Sequence, residues 1–255
     1  MVVTFILHQG ERQVVINTYK NPLLKQGESV GPQVYKILRG QIIHGNLLPG
    51  TRISETEISG TFNISRQPVR EAFIKLRNEG LVEVRPQRGT FITRIRIDAV
   101  SDARFIREAI EADIVQYLVE QSNPLLVSKL RSLLKMQREL LPLEIDQFME
   151  CDEQFHRLLA EFAGKPIAWK VISNMKAHLD RVRHLSSTIK PIERLVNQHE
   201  AIVDAIEKKD KVAADLAIRE HMREVLRDLP LIVARQPELF SEYGVPDIVN
   251  LETTG

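Results

Sequence analysis

The chain has 255 residues, of which 27% are charged and 43% hydrophobic, with a single cysteine and a formal net charge of +1. That length holds one large domain or two ordinary ones. The lone Cys151 excludes an internal disulfide and fits a reducing cytoplasm, and no stretch approaches the roughly 18 consecutive apolar residues of a membrane span.

The near-neutral total conceals a split. Residues 29–96 carry eleven Lys and Arg against five Asp and Glu, a net of +6, whereas residues 97–255 carry 21 against 27, a net of −6. A basic segment joined to an acidic one suggests a nucleic-acid-binding module on a partner domain.

In chain order, the opening MVVTFILHQG lacks the basic lead-in, long apolar run and cleavage site of a secretory signal, so cytoplasmic residence is expected. Residues 1–31 read as an N-terminal extension. A first helix is predicted over 32–44, with Pro32 in its first turn and Val34, Tyr35, Ile37, Leu38 and Ile42 at helical period. Ser54-Glu55-Thr56-Glu57 forms a capping box that opens a short helix to about residue 61. Ser65 is then expected to cap a third helix, which buries Val69, Ala72, Phe73 and Leu76 and stops at Gly80. Residues 81–85 and 90–94 read as two short strands around Pro86-Gln87-Arg88-Gly89.

From residue 98 no strand is predicted. Six helices are expected, over 99–122, 124–141, 144–163, 166–188, 191–208 and 211–229, set off by Asn123-Pro124, Pro142, Gly164-Lys165-Pro166, Pro191 and Pro230. The fold class is therefore mainly α: a winged helix-turn-helix over 32–96, an all-α six-helix bundle over 98–230, and an irregular tail over 231–255.

Helix, helix, turn, helix and hairpin is the order of a winged helix-turn-helix, whose second helix of the motif points its N-terminal end into the major groove. Here that end is Ser65-Arg66-Gln67-Pro68-Val69-Arg70. Arg66 and Arg70 lie four residues apart, off the buried stripe, and Arg binds guanine bidentately as Gln67 can bind adenine. Ser65 and the first N–H groups suit a phosphate. Arg88 beside Gly89 puts a cation where the backbone can approach DNA closely, and Arg52 is a further phosphate candidate. Two arginines alone would read equally well as a solvated basic face; the element order and the basic wing tip favour DNA.

The segment PGTRISETEISGTFNISRQPVREAFIKLRNEGLVEVRPQRGTFI resembles the GntR-family winged helix-turn-helix, most diagnostically in PG-x-R-x-S-E, S-R-x-P-V-R-E-A and the G-L-V…RG wing. The resemblance implies that Arg66 and Arg70 read a double-stranded operator, that Ser65 and Gln67 support them and that Arg88-Gly89 is the wing contact. Gln67 departs from the commoner Thr of the family. SRQPVREAFIKL and RPQRG are also similar to enterobacterial regulators of starvation-sensing operons.

In the helical half, Asp152 and His156 are four apart on one predicted helix, and His199 and His221 fall on the last two. One carboxylate and three imidazoles could hold a divalent ion in a bundle core, although Asp152 and His156 also read as a surface ion pair. ARFIREAIEADIVQYLVEQ, DEQFHRLLAEFAGKP and QHEAIVDAIEKKDKVAADLAIREHM resemble the FCD ligand-binding domain of FadR-type GntR regulators. That resemblance implies a metal at Asp152, His156, His199 and His221, zinc first, with nickel or manganese as alternatives. It also implies a small organic acid as effector, held with the help of Arg107, which by itself reads as well as an i, i+4 partner of Glu111.

The function so implied is a homodimeric repressor, without membrane attachment or catalytic residues, whose operator binding follows an acid bound at the ion. Two other readings stay open. The ion itself could be the signal. Three His and one Asp could instead activate water in a hydrolase, although no H-E-x-x-H motif is present.

Overall fold

The structure is a computed structural model; it describes residues 24–121, 123–140 and 144–241, together with two short N-terminal strands. The chain divides into two compact units, Met1–Ile97 with Gln236–Gly255, and Asp98–Arg235.

The first unit is built on three helices: α1 Val30–Ile43, α2 Glu55–Phe62 and α3 Arg66–Asn78. Val34, Leu38 and Ile42 of α1 meet Val69, Ala72 and Leu76 of α3 in a dry aliphatic core, each at most 1% exposed. Burying each Val or Leu is worth about 1.5–3 kcal/mol, which holds these short helices together. Polar contacts pin the other end: Arg39 Nε donates to Glu79 Oε2 at 2.7 Å, and Tyr35 donates to the same carboxylate. Ser54 caps α2 as expected, accepting from Glu57 N at 3.1 Å, and the left-handed Asn63 (φ 51°) turns the chain into α3. Ser65 precedes α3 in extended backbone but makes no capping bond through its side chain, so its hydroxyl remains exposed.

Strands β1 (Phe5–His8) and β2 (Glu11–Val14) pair antiparallel, where no element was expected. Strand β3 (Arg52–Ile53) joins β5 (Gly89–Ile92), which pairs antiparallel with β4 (Val82–Arg85), giving the order β1-β2-β3-β5-β4. The wing is thus a hairpin with Arg85 opposite Gly89. Strand β5 stops at Ile92, short of the expected residue 94. The next residue still reaches the partner side: Thr93 N donates to Leu81 O at 3.1 Å and its hydroxyl to Gly80 O at 2.6 Å.

The second unit has seven helices among the described residues rather than six: α4 Ile97–Gln121, α5 Pro124–Glu139, α6 Ile145–Phe162, α7 Pro166–Met175, α8 Ala177–Ile189, α9 Glu193–Lys208 and α10 Lys211–Arg235. Asn123 starts α5 by accepting from Leu125 N and Leu126 N. The expected helix over 166–188 is broken at Lys176, a position with no Gly or Pro to announce it. The buried Lys176 ammonium is held by Glu153 at 2.6 Å and Asp180 at 2.8 Å, and those tertiary partners accompany the break.

Pro230 does not end the last helix, as its position suggested; α10 runs on to Arg235. An internal proline costs roughly 3 kcal/mol, and the burial of Leu229 and Ile232 on either side offsets it. The expected irregular tail is ordered as far as Ser241, and residues 242–255 lie outside the described residues. Pro237–Leu239 form a 3-10 turn, and the buried Phe240 bridges to Ile95, whose N–H bonds to Leu239 O at 2.8 Å and whose carbonyl accepts from Ser241 N at 2.9 Å. No described helix is long and apolar enough to cross a membrane.

Candidate DNA-binding surface and candidate metal centre

At the start of α3, Ser65, Arg66, Gln67 and Arg70 are all exposed. Burial of Val69, Ala72, Phe73 and Leu76 fixes which way the helix faces, and Arg66 and Arg70, off that stripe, point outward. Arg70 makes a loose ion pair with Glu55 at 3.3 Å, and Gln67 donates to Glu71 at 3.1 Å. Such exposed pairs are worth about 0–1 kcal/mol, so phosphates or bases can displace them. Arg66 has no ion pair among the described residues. The wing tip turns through two left-handed residues, Gln87 (φ 61°) and Gly89 (φ 112°). A Cβ on Gly89 would stand 2.9 Å from Arg52 Nε, so the glycine both permits the turn and lets Arg52 lie across the base of the wing. The structure therefore brings Arg52 to Gly89; Arg88 beside it is exposed.

In the bundle, α6, α9 and α10 bring Asp152, His156, His199 and His221 to one point, with one donor atom from each within 4.8 Å of the others. All four are buried, none more than 6% exposed, so the surface ion-pair reading of Asp152 and His156 does not hold. His221 Nε2 lies 3.2 Å from both His199 Nε2 and His156 Nε2, and His199 Nε2 lies 3.4 Å from Asp152 Oδ1. Donors bonded to one ion at about 2.1 Å stand roughly 3.0 Å apart in octahedral and 3.4 Å in tetrahedral geometry, which brackets these spacings.

The far ring nitrogens explain why the Nε2 atoms converge. His199 Nδ1 bonds to Gln137 Oε1 at 2.9 Å, and His221 Nδ1 to Gln198 Oε1 at 3.1 Å. His156 Nδ1 stands 2.6 Å from Glu111 Oε2, off the line of an ideal hydrogen bond. A proton placed on Nδ1 by such an acceptor leaves the Nε2 lone pair free for a metal. Burial pushes His199 down to about 3 and, with the neighbouring imidazoles, holds His221 well below its usual range, so both rings are neutral at pH 7. Burial opposes ionisation of Asp152, but Arg183 and the histidines outweigh it and hold the carboxyl well below the usual range. Arg183 donates to Asp152 Oδ2, while Asp152 Oδ1 has no hydrogen-bond partner. Facing lone pairs and an orphaned carboxylate oxygen are costly when buried, and a divalent cation satisfies them together. The donor set thus fits the ion that the spacing suggested.

Arg107 is 3% exposed and does pair with Glu111, Nε to Oε1 at 2.7 Å. Its Nη2 is buried without a hydrogen-bond partner, so the ion pair with Glu111 is present and the residue also lines a cavity with His221. Burial opposes ionisation of Glu111, but Arg107 and His156 bring it down to about 2. Sequence reasoning missed Gln137, Gln198 and Arg183. Gln198 adjoins His199 in the chain, but on a helix adjacent residues face apart, and Arg183 carries no local signal at all.

An exposed basic helix end with a wing, joined to a helical sensor-like bundle, is the build of a DNA-binding transcription regulator. The chain belongs to the GntR family of bacterial regulatory proteins: that family matches residues 31–92, and the FCD domain matches residues 102–224. It is 38% identical to the HTH-type transcriptional repressor RspR of Escherichia coli K12 over 231 residues, 90% of this chain and 100% of that one. It is 30% identical to the HTH-type transcriptional repressor NanR of Cronobacter sakazakii, over 74% and 79% of the two chains. Among solved structures, E. coli McbR/YncC superposes with a TM-score of 0.68 at 20% identity, covering 82% of this chain and 99% of that one, a likeness of fold. These relatives are regulators, and the chain is a transcription regulator rather than an enzyme.

Proposed function

We propose that the protein is a repressor that binds its operator as a homodimer and is controlled by a small organic acid held at a divalent metal in the bundle. The carrying observation is the convergence of three imidazole Nε2 atoms and the orphaned Asp152 Oδ1, each histidine oriented by its own partner. Zinc suits three nitrogens and one oxygen, and nickel or manganese could take the same donors. The bound ion would supply a positive centre for a carboxylate.

The chain's own residues favour an anion there. Asp152 and Glu111 are balanced by Arg183 and Arg107, so a divalent ion leaves a buried excess of positive charge. Arg107 lines the adjoining cavity and its Nη2 has no hydrogen-bond partner, so it has a donor to offer an acid. On the DNA side, Arg66, Gln67 and Arg70 read bases, while Ser65, Arg52 and the Arg88-Gly89 wing tip hold phosphate or minor groove. A palindromic operator matches a two-fold dimer, and an acid that binds one arrangement of the dimer better than another shifts operator affinity.

The test is metal analysis of the purified protein beside a His199→Ala/His221→Ala variant, with operator gel shifts of both. The expected result is about one ion per chain in the native protein, little in the variant, and a gel shift that responds to organic acids only in the native protein. Equal metal in both would end the metal reading.

A further inference from the structure

Near the head of α3 one carboxylate faces two ways. Glu71 Oε1 accepts a hydrogen bond from Gln67 Nε2 at 3.1 Å. The other oxygen, Oε2, lies against the start of α1, where a Cβ built on Gly31 would stand 3.0 Å from it. Gly31 is buried in the first turn of α1, and its lack of a side chain leaves room for that oxygen.

The position of Glu71 has an electrostatic cause. A helix N-terminus carries unsatisfied N–H groups and a partial positive charge. Helix α1 offers little of its own to answer them: Ser29 makes no capping bond through its side chain, and the first turn holds no acidic residue. The negative charge comes from α3 instead, with the Glu71 carboxylate set between the start of α1 and Gln67.

The bond to Glu71 decides what Gln67 shows to DNA. Gln67 is exposed, and a long polar side chain in water samples many rotamers unless a partner holds it. A carboxamide has one acceptor oxygen and two N–H donors. With Nε2 anchored on the Glu71 side, Oε1 takes the other end of the amide, and the second N–H stays free beside it. An acceptor and a donor side by side match N6 and N7 of adenine in the major groove. A base therefore need not break the bond to Glu71. An unanchored amide turns its Nε2 equally well to guanine O6 or thymine O4, which are both acceptors.

We propose that Glu71 is a positioning residue for base specificity: seated against α1 at Gly31, it holds the Gln67 amide in the orientation that reads adenine. Glu71 acts through Gln67 and not on the DNA. This rests on the reading above of Gln67 as a base contact and names the base and the residue that enforces it.

In the experiment the native full-length protein first selects its preferred site from a randomised duplex pool. That site is remade with each of the other bases at every position of one half. Gel shifts at fixed salt then compare the native protein with Gln67→Ala, Glu71→Ala and Glu71→Gln, and melting curves check that each is folded. Gln67→Ala is expected to lose discrimination at one base pair, where the native protein favours adenine. Glu71→Ala is expected to lose about fivefold in discrimination at that same pair, about the 1 kcal/mol of one hydrogen bond, and to discriminate as before elsewhere. Glu71→Gln keeps an acceptor oxygen and is expected to keep most of the preference. A purely structural role for Glu71 would instead weaken binding to all sequences alike. That result, unchanged discrimination in Glu71→Ala, or a base other than adenine at the Gln67 pair would overturn this inference and leave Gln67 as a base reader. Full discrimination in Gln67→Ala would overturn both.

Discussion

The two units place their charges in opposite ways. In the winged unit Arg66, Arg70 and Arg88 lie on the surface, and the ion pair of Arg70 with Glu55 is long and exposed. In the bundle Asp152, Glu111 and Arg107 are taken out of water, Arg107 locked to Glu111 and Asp152 to the partly buried Arg183. The surface arrangement suits a partner that arrives with its own dense charge, because weak local pairs cost little to break. The buried arrangement suits a small ligand, because a low-dielectric site makes every added or missing charge count.

The largest expected effect lies on the buried side. Arg183→Ala leaves Asp152 ionised, buried and without its cation, and should cost the metal-free protein about 3–5 kcal/mol in urea unfolding. With zinc present the loss should be smaller, since the ion replaces part of the missing charge. An equal loss with and without metal would show that Arg183 and the ion do not share a site.

Next comes the exposed side. Arg66→Ala should weaken operator binding by about 1–3 kcal/mol in gel shifts at fixed salt and leave the unfolding midpoint unchanged. A shift in stability with no change in operator affinity would reverse the contrast between the units.

The smallest effect concerns acid sensitivity in the bundle. Hydrogen bonds from Arg223 and Arg104 outweigh burial and bring Glu108 down to about 2 from an ordinary 4.5. A carboxylate lowered in the folded state contributes stability that is present above pH 4.5 and lost as pH falls through about 2. Glu108→Gln should therefore lower stability at neutral pH and flatten its loss over that acid window. An unaltered acid limb would mean that these arginines do not hold Glu108 in solution.

Legibility followed the range of the interactions. The three helices and wing of the first unit rest on short-range signals: a capping box at Ser54, apolar period in α1 and α3, and Gly80 and Gly89 where left-handed backbone is required. Exposure of Arg66 and Arg70 follows from the buried stripe between them. In the bundle the same signals placed most helices, yet they missed the break at Lys176 and the continuation past Pro230. Both are tertiary: one accompanies ion pairs to Glu153 and Asp180, the other rests on burial of Leu229 and Ile232. The order of the tail's first residues was missed for the same reason, since Phe240 meets Ile95, 145 positions earlier in the chain.

For the candidate metal centre, residue type and spacing pointed to Asp152 and His156 as an i, i+4 pair on one helix face and to His199 and His221 on the last two helices, and the resemblance joined the four into one site. What orients them came only from the folded chain. Gln137, Gln198, Glu111 and Arg183 reach the four donors from other helices or other turns, and no local pattern records such contacts. The sequence by itself determined a basic DNA-reading end and an acidic helical bundle, since periodicity, capping and charge act within a few residues. Only the tertiary structure decided that the bundle's charges are paired beside a cavity, because burial and charge balance arise when distant helices close around the same point.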